Sequence, residues 1–294
     1  MTVYPNVKLN LGLQVLGKRP DGFHELRTAF VPCYAYSDCL EIVPSASLEV
    51  EIGGPEYTGW DPSDDLTARA WRLLRADFGI PPVHISLEKR SPVGAGLGGG
   101  SADGAFALAA LNEIFSLGLS LQQLADYAAC LGSDCPFFVY NFPMFASGRG
   151  EELEPLRLAL DDYRFEVAVP EGEHISTKEA YEGLKLAAAE ELPSDDASLR
   201  SAPPLAELAV PPLTVPRVAR SSEGTPHSAV DLKSILLTTP VEKWKDMVVN
   251  DFEASIFPNH PAVAQLKADF YRRGAVYASM SGSGCAVFGI FRKD

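Results

Sequence analysis

The sequence predicts an α+β protein, and three observations predict it. Short segments with apolar residues at alternate positions are interleaved with amphipathic stretches of helical length, and a glycine-rich run leads straight into an alanine- and leucine-rich segment. With 294 residues, 46 % of them hydrophobic, the chain can bury a sizeable core in one large domain or two modest ones.

Taken in order, 7–16 alternates as a strand does, as does 40–43, and 48–52 is expected to pair nearby. Asp61-Pro62-Ser63 before it and Gly79 after it bound an amphipathic helix over 66–78, and 83–87 is the next strand. Helices are expected at 104–115 and 121–131, the second capped by Ser120. A second half begins near Gly148-Arg149-Gly150, which divides the chain into domains 1–149 and 150–294. It carries strands near 153–156 and 165–169, helices at 177–189, 241–248 and 261–271, and strands at 277–280 and 286–291. Between 190 and 232 Pro, Ser, Ala and acidic residues dominate, with Pro203-Pro204 and Pro211-Pro212. That stretch reads as a surface excursion, either a functional lid or a neutral insertion.

A formal charge of −14 argues against nucleic acid or an anionic membrane as partner, because both rely on a basic field. A nucleotide ligand would need positive charge gathered locally, and Lys8, Lys18, Arg19, Lys89 and Arg90 supply it beside the motifs below. The cysteines Cys33, Cys39, Cys130, Cys135 and Cys285 are odd in number and show no C-x-x-C spacing, which speaks for reduced thiols in a cytoplasmic protein. There is no signal-like N-terminus and no apolar run near the ~18 residues that a membrane span requires. The scattered histidines suggest no metal cluster.

The most informative stretch is Ser91-Pro92-Val93-Gly94-Ala95-Gly96-Leu97-Gly98-Gly99-Gly100-Ser101-Ala102-Asp103. Its glycines let a ligand approach the backbone and permit positive φ, and the helix that follows offers unsatisfied N–H groups and a positive dipole end. Phosphate is the commonest occupant of such a loop. Gly94, Gly96 and Gly99 form G-x-G-x-x-G, but five residues, 88–92, separate them from the strand, and Glu113 and Asp126 fall in helical pattern, so a dinucleotide fold does not fit. No lysine follows Gly100, which removes a Walker A loop, and the V-A-I-K, H-R-D and D-F-G elements of protein kinases are missing.

Pro92 to Ala102 resembles the P-x-G-x-G-L-G-S/G-S-S/A signature of the GHMP kinases, a family of small-molecule kinases. Val7-Lys8-Leu9-Asn10-Leu11-Gly12-Leu13 resembles the family's first motif, and Ser279-Met280-Ser281-Gly282-Ser283-Gly284-Cys285-Ala286-Val287-Phe288 its third. Pro20-Asp21-Gly22-Phe23-His24-Glu25-Leu26, with Leu131 to Phe138, is similar to the branch whose substrate is a cytidine diphosphate-linked methylerythritol. The resemblance implies a two-domain GHMP kinase fold, an N-terminal domain like domain 2 of ribosomal protein S5 and a C-terminal ferredoxin-like α/β sandwich, with the active site between them. It further implies ATP and Mg2+ as cofactors, phosphorylation of the substrate's 2-hydroxyl in the non-mevalonate isoprenoid precursor pathway, and a monomer or homodimer. Another GHMP kinase, of mevalonate- or homoserine-kinase type, and a non-catalytic nucleotide-binding relative are the alternatives.

By the same resemblance Asp134 is the catalytic base and Lys8 its electrostatic partner, offsetting the charge of the incipient alkoxide. The residues alone leave both open: Asp134 also reads as an acid at the unfavourable negative end of a helix, and Lys8 as an outward-facing strand residue. Asn10 shares the parity of Lys8 and would bind substrate; Phe23 would stack on the cytidine ring and His24 hydrogen-bond it, although an aromatic and a histidine after a turn also read as plain packing. Lys89 would lie near phosphate or be an ordinary basic strand end, Ser101 would cap the helix and approach metal or phosphate, and Thr177 would contact substrate or cap its helix. Gly282, Ser283 and Gly284 shape the cleft floor or form a simple hairpin turn, and Asp65 stands where relatives have an asparagine beside the adenine pocket.

Overall fold

A computed structural model describes residues 1–184 and 231–293, so the expected excursion lies outside the described residues except for Asp231 and Leu232. Three sheets organise the chain. The first has the order β1-β4-β6-β5, built from β1 (Thr2–Val3), β4 (Cys39–Pro44), β6 (Val83–Glu88) and β5 (Glu49–Gly53). Helices α1 (Leu66–Phe78), α2 (Gly99–Ile114) and α3 (Leu121–Ala129) share its core, where Leu40, Ile42, Ile85 and Leu87 are buried in one cluster with Trp71, Leu74, Leu108 and Leu111. α1 has the expected bounds because Asp65 caps its N-terminus and Gly79 closes it in the left-handed conformation. α3 opens on a capping box between Ser120 and Gln123 and ends at Ala129, short of the expected 131.

The second sheet, β2-β3-β7-β8, is dominated by the long hairpin of β2 (Asn6–Lys18) and β3 (His24–Ser37), followed by β7 (Met144–Ser147) and β8 (Glu152–Pro155). β3 has no counterpart in the sequence reading, because apolar Ala29, Phe30, Val31 and Cys33 fall on both parities and Pro32 interrupts them. Pro32 is tolerated where it stands: β7 covers only Thr28, Ala29 and Phe30, and beyond them one edge of β3 has no partner strand among the described residues. At Gly12, φ +67°, the register of the hairpin shifts, and Leu13 exchanges backbone hydrogen bonds with Val249 and Asp251. The bulge thus docks the C-terminal half on the N-terminal strand.

The third sheet, β10-β11-β9, contains β9 (Tyr163–Ala168), β10 (Tyr277–Met280) and β11 (Val287–Arg292), backed by α8 (Pro261–Arg272). One continuous core joins Val7, Leu9 and Leu11 of β2 to Met280 and Phe288 of this sheet and to Phe252 of α7 (Phe252–Ile256). The division expected at 149/150 falls between β7 and β8, which are paired strands.

Three further helical expectations are corrected, and short helices had no counterpart in the sequence reading. α2 begins at Gly99 rather than 104, because Gly99 and Gly100 take helical angles and form its first turn. α4 (Cys135–Tyr140) and α6 (Leu232–Thr238) are too short to show periodicity in sequence. The helix expected over 177–189 is α5 (Thr177–Glu182), closed at Gly183, and its span from 185 lies outside the described residues. Residues 241–248 hold a 3-10 helix, Val241–Asp246.

Candidate active site

The glycine loop lies between β6 and α2 and forms one wall of a cleft of about 580 Å³, a size suited to a small molecule. It is stitched in place from two sides. Lys8 donates its backbone N–H to the Leu97 carbonyl at 2.9 Å, and Ala286 donates to the Ala95 carbonyl at 3.0 Å. The glycines divide by what they serve. A Cβ on Gly96, which has φ +87°, would overlap the Ser281 carbonyl oxygen, so this glycine is required by the fold. A Cβ on Gly100 would meet no protein atom, yet Gly100 borders the cleft. The space in front of Gly100 is therefore open on the side of the cleft.

Ala102 donates the first intrahelical bond of α2, to Gly98, which leaves the N–H groups of Gly99, Gly100 and Ser101 without helical acceptors. Ser101 does not cap the helix as expected; Gly98 holds that position and Ser101 stands in the first turn. Pro92, Val93, Gly94, Leu97, Gly98, Gly99 and Ser101 also border the cleft, whereas Ala95 and Ala102 are buried behind it. The third motif supports the loop from beneath: Gly282 and Gly284 lie so close to the Ala95–Gly96 backbone that neither has room for a Cβ. Asn250 holds that motif by donating to the carbonyls of Met280 (3.1 Å) and Gly282 (2.9 Å).

Lys8 stands against the loop, its Cγ 3.2 Å from where a Cβ on Gly98 would lie. It is buried rather than outward-facing, because both faces of β2 are covered. Its Nζ donates to Asn10 Oδ1 at 2.5 Å, lies 5.0 Å from the centre of the Phe30 ring, and is 3.5 Å from Asp134 Oδ2. Asn10 is fixed in turn, Nδ2 donating to Thr28 Oγ1 at 3.0 Å while its own backbone N–H reaches the Ser281 hydroxyl at 3.3 Å. Asp134 precedes α4, so the expected unfavourable helix end is corrected: the carboxylate is at the positive end of the short helix that follows. It caps nothing and its side chain is 35 % exposed, which leaves oxygen lone pairs facing the cleft. Burial pushes the neighbouring Cys135 thiol up to about 12, so the thiol adds no charge beside Asp134.

Lys89 also borders the cleft. Its ammonium is 2 % exposed and is taken up by Asp38 and Asp103. Burial acts to raise the Asp38 carboxyl, but the Lys89 charge and donors from Lys89 and Ser91 outweigh it and hold the group below the usual range. Asp103 is raised well above it, since its deeper burial outweighs Lys89.

Phe23 and His24 follow a turn in which Gly22 donates to the Arg19 carbonyl at 3.0 Å. Phe23 is exposed, with the Arg149 guanidinium 5.0 Å from its ring centre. His24 stacks on Tyr181 at 4.4 Å, and burial, aided by Lys18, lowers its pKa. Thr177 borders the cleft with its hydroxyl 3.2 Å from that of Ser283; the cap of its helix is Ser176, not Thr177. Asp65 spends both oxygens on the protein, one accepting from Thr67 and the other from Trp60 Nε1.

Sequence reasoning missed Arg149, Tyr181, Trp60, Thr28 and Phe30, all of which border the cleft. Tyr181 had a signal, since it lies four residues after Thr177 on one helix face, and Arg149 stands between Gly148 and Gly150, both with positive φ. Thr28 and Phe30 could not be found without β3.

Residues 65–142 match the family model for the GHMP kinases N terminal domain, and 239–294 that for GHMP kinases C terminal. Over 298 aligned positions the chain is 39 % identical to the 4-diphosphocytidyl-2-C-methyl-D-erythritol kinase of Bacteroides thetaiotaomicron, covering 100 % of this chain and 93 % of that one. The crystal structure of a 4-(cytidine 5'-diphospho)-2C-methyl-D-erythritol kinase superposes with a TM-score of 0.69 at 29 % identity, over 98 % of this chain and 89 % of the other. A homoserine kinase from Cytophaga hutchinsonii shares the fold alone, with a TM-score of 0.63 at 13 % identity over 100 % and 85 % of the two chains. With two domain matches in the family's order and a full-length relative at this identity, the chain belongs to the GHMP kinases.

Proposed function

We propose that the protein transfers the γ-phosphoryl group of ATP to the 2-hydroxyl of 4-diphosphocytidyl-2-C-methyl-D-erythritol, a step of the non-mevalonate isoprenoid precursor pathway. The observation that carries this reading is that the Lys8–Asp134 pair and the glycine loop border one cleft, in a chain whose full-length relatives bear that substrate's name. Phosphoryl transfer requires little covalent chemistry from a protein, only positioning, charge compensation and a proton acceptor. Asp134 takes the proton of the attacking hydroxyl; the substrate oxygen bonds to the γ-phosphorus as its bond to the bridging oxygen breaks, and ADP leaves. Lys8 offsets the charge that gathers on the attacking oxygen, and Asn10 fixes the direction of its ammonium. The free N–H groups at the start of α2 receive the phosphates.

No group of three His, Cys, Asp or Glu side chains forms a metal cage among the described residues. The Ser101 hydroxyl and Asp134 border the cleft with oxygen donors suited to Mg2+ and would hold it beside the nucleotide phosphates. The ion, when bound, neutralises phosphate charge. On the opposite side the Phe23 ring and His24 are the contacts for the cytosine, and Thr177 for the substrate beyond it. No helix among the described residues is long and apolar enough to cross a membrane; a cytoplasmic enzyme, monomeric or dimeric, is the setting we infer. A coupled assay for ADP release tests the function, with mevalonate and homoserine as comparison substrates. Turnover with the cytidyl substrate alone is expected, and preference for either of the others would overturn the assignment.

A further inference from the structure

The cluster around Lys89 lies apart from the reacting pair and is more tightly built. An ammonium has three N–H donors, and those of Lys89 go to Asp38 Oδ2 at 2.5 Å, Asp103 Oδ2 at 2.6 Å and the Ser91 hydroxyl at 3.2 Å. None is left for a phosphate. Asp38 turns its remaining capacity toward the segment that enters the glycine loop. Its Oδ1 accepts from the backbone N–H groups of Arg90 (2.6 Å) and Ser91 (2.7 Å), and its Oδ2 from the Ser91 hydroxyl at 2.6 Å.

Three parts of the fold meet here. Asp38 follows β3, Lys89 and Ser91 lead from β6 into the loop, and Asp103 belongs to α2. The Lys89 backbone is itself pinned, donating to Gly53 at 2.8 Å and accepting from Glu56 at 3.2 Å. A Cβ built on Gly99 would overlap the Ser91 hydroxyl and lie 3.5 Å from Lys89 Nζ, so the cluster sits directly behind the first residue of α2. We propose that Lys89, Asp38 and Asp103 are positioning residues for the nucleotide: they hold loop 92–101 and the free N–H groups of α2 in register with Lys8 and Asp134, and so set ATP affinity without touching ATP. The proposal rests on the reading of this cleft as an ATP site.

A lysine that bound phosphate directly would behave differently, because loosening its carboxylate partners would release it to the ligand. Calorimetric titration of the full chain with ADP, beside steady-state kinetics, separates the two. Asp38→Asn is expected to weaken ADP binding about tenfold while KM for the alcohol substrate moves less than about twofold. Lys89→Met is expected to weaken ADP binding by about the same factor, and the double variant to be no weaker than either single one, as for residues that act as a unit. Unchanged or tighter ADP binding in Asp38→Asn overturns the proposal, as do additive losses in the double variant. If loss of a buried charge unfolds these variants, Ser91→Ala removes a hydroxyl and no charge; about threefold weaker ADP binding is expected, and unchanged binding overturns the proposal. Parent protein that binds no ADP overturns instead the reading of the cleft itself.

Discussion

Two lysine–aspartate arrangements border one cleft, and they differ in how far their charges are already satisfied. Lys8 and Asp134 are 3.5 Å apart, with Asp134 35 % exposed and capping nothing. Lys89 is within 2.6 Å of two carboxylates, both buried, and its donors are all occupied. A loose, half-open pair retains capacity to exchange a proton and to meet a new charge. In the buried cluster every Lys89 donor is already engaged, so its charge acts by fixing the segments around it.

The largest effect that would break this comparison is on turnover. Asp134→Asn is expected to lower kcat by about a thousandfold with ADP affinity changed less than about twofold, measured by single-turnover kinetics and calorimetry. Lys8→Met is expected to cost activity on a similar scale but little stability, because its partner is open to solvent. The reverse applies at the other arrangement: Lys89→Met leaves buried acids without a counter-charge and is expected to cost about 3 kcal/mol in urea unfolding. If Lys8→Met proved the more destabilising of the two, the division between the arrangements would fail.

A smaller effect sharpens the same contrast within the loop. Gly100→Ala puts a methyl group where only a ligand would meet it, so ADP is expected to bind about tenfold more weakly while stability holds or rises by about 0.5 kcal/mol. Gly96→Ala, by contrast, is expected to lower the melting temperature, since its methyl group meets the Ser281 carbonyl. The smallest effect concerns a third cation between carboxylates. His260 lies 2.6 Å from Glu173 and 2.8 Å from Glu179, and these hydrogen bonds, Glu179 first, raise its pKa above the usual 6.5. Its stabilisation is therefore complete below 6.5 and is lost as pH rises through the raised value. The melting temperature should decline across that window and be flatter in His260→Gln.

Much of this was legible in the chain. The glycine run, the bounds of α1 and the strands β4, β6 and β10 follow from spacing and caps that act within a few residues. Strand β3 was not legible, because its apolar residues serve cores on both faces and blur the alternation, and Thr28 and Phe30 went with it. The partners of Lys89 were not legible for a different reason. Beside a phosphate loop a lysine reads as a phosphate ligand, and only the approach of Asp38, 51 residues earlier, and of Asp103 from the helix shows its charge already taken up.

By itself the sequence determined the glycine loop, and its resemblance to a family pointed to Lys8 and Asp134, because such motifs are residue types at fixed local spacing. The tertiary structure decided that Lys8 keeps a single, partly exposed carboxylate partner while Lys89 is held by two buried ones. That distinction depends on burial and on partners distant in the chain, neither of which local spacing records.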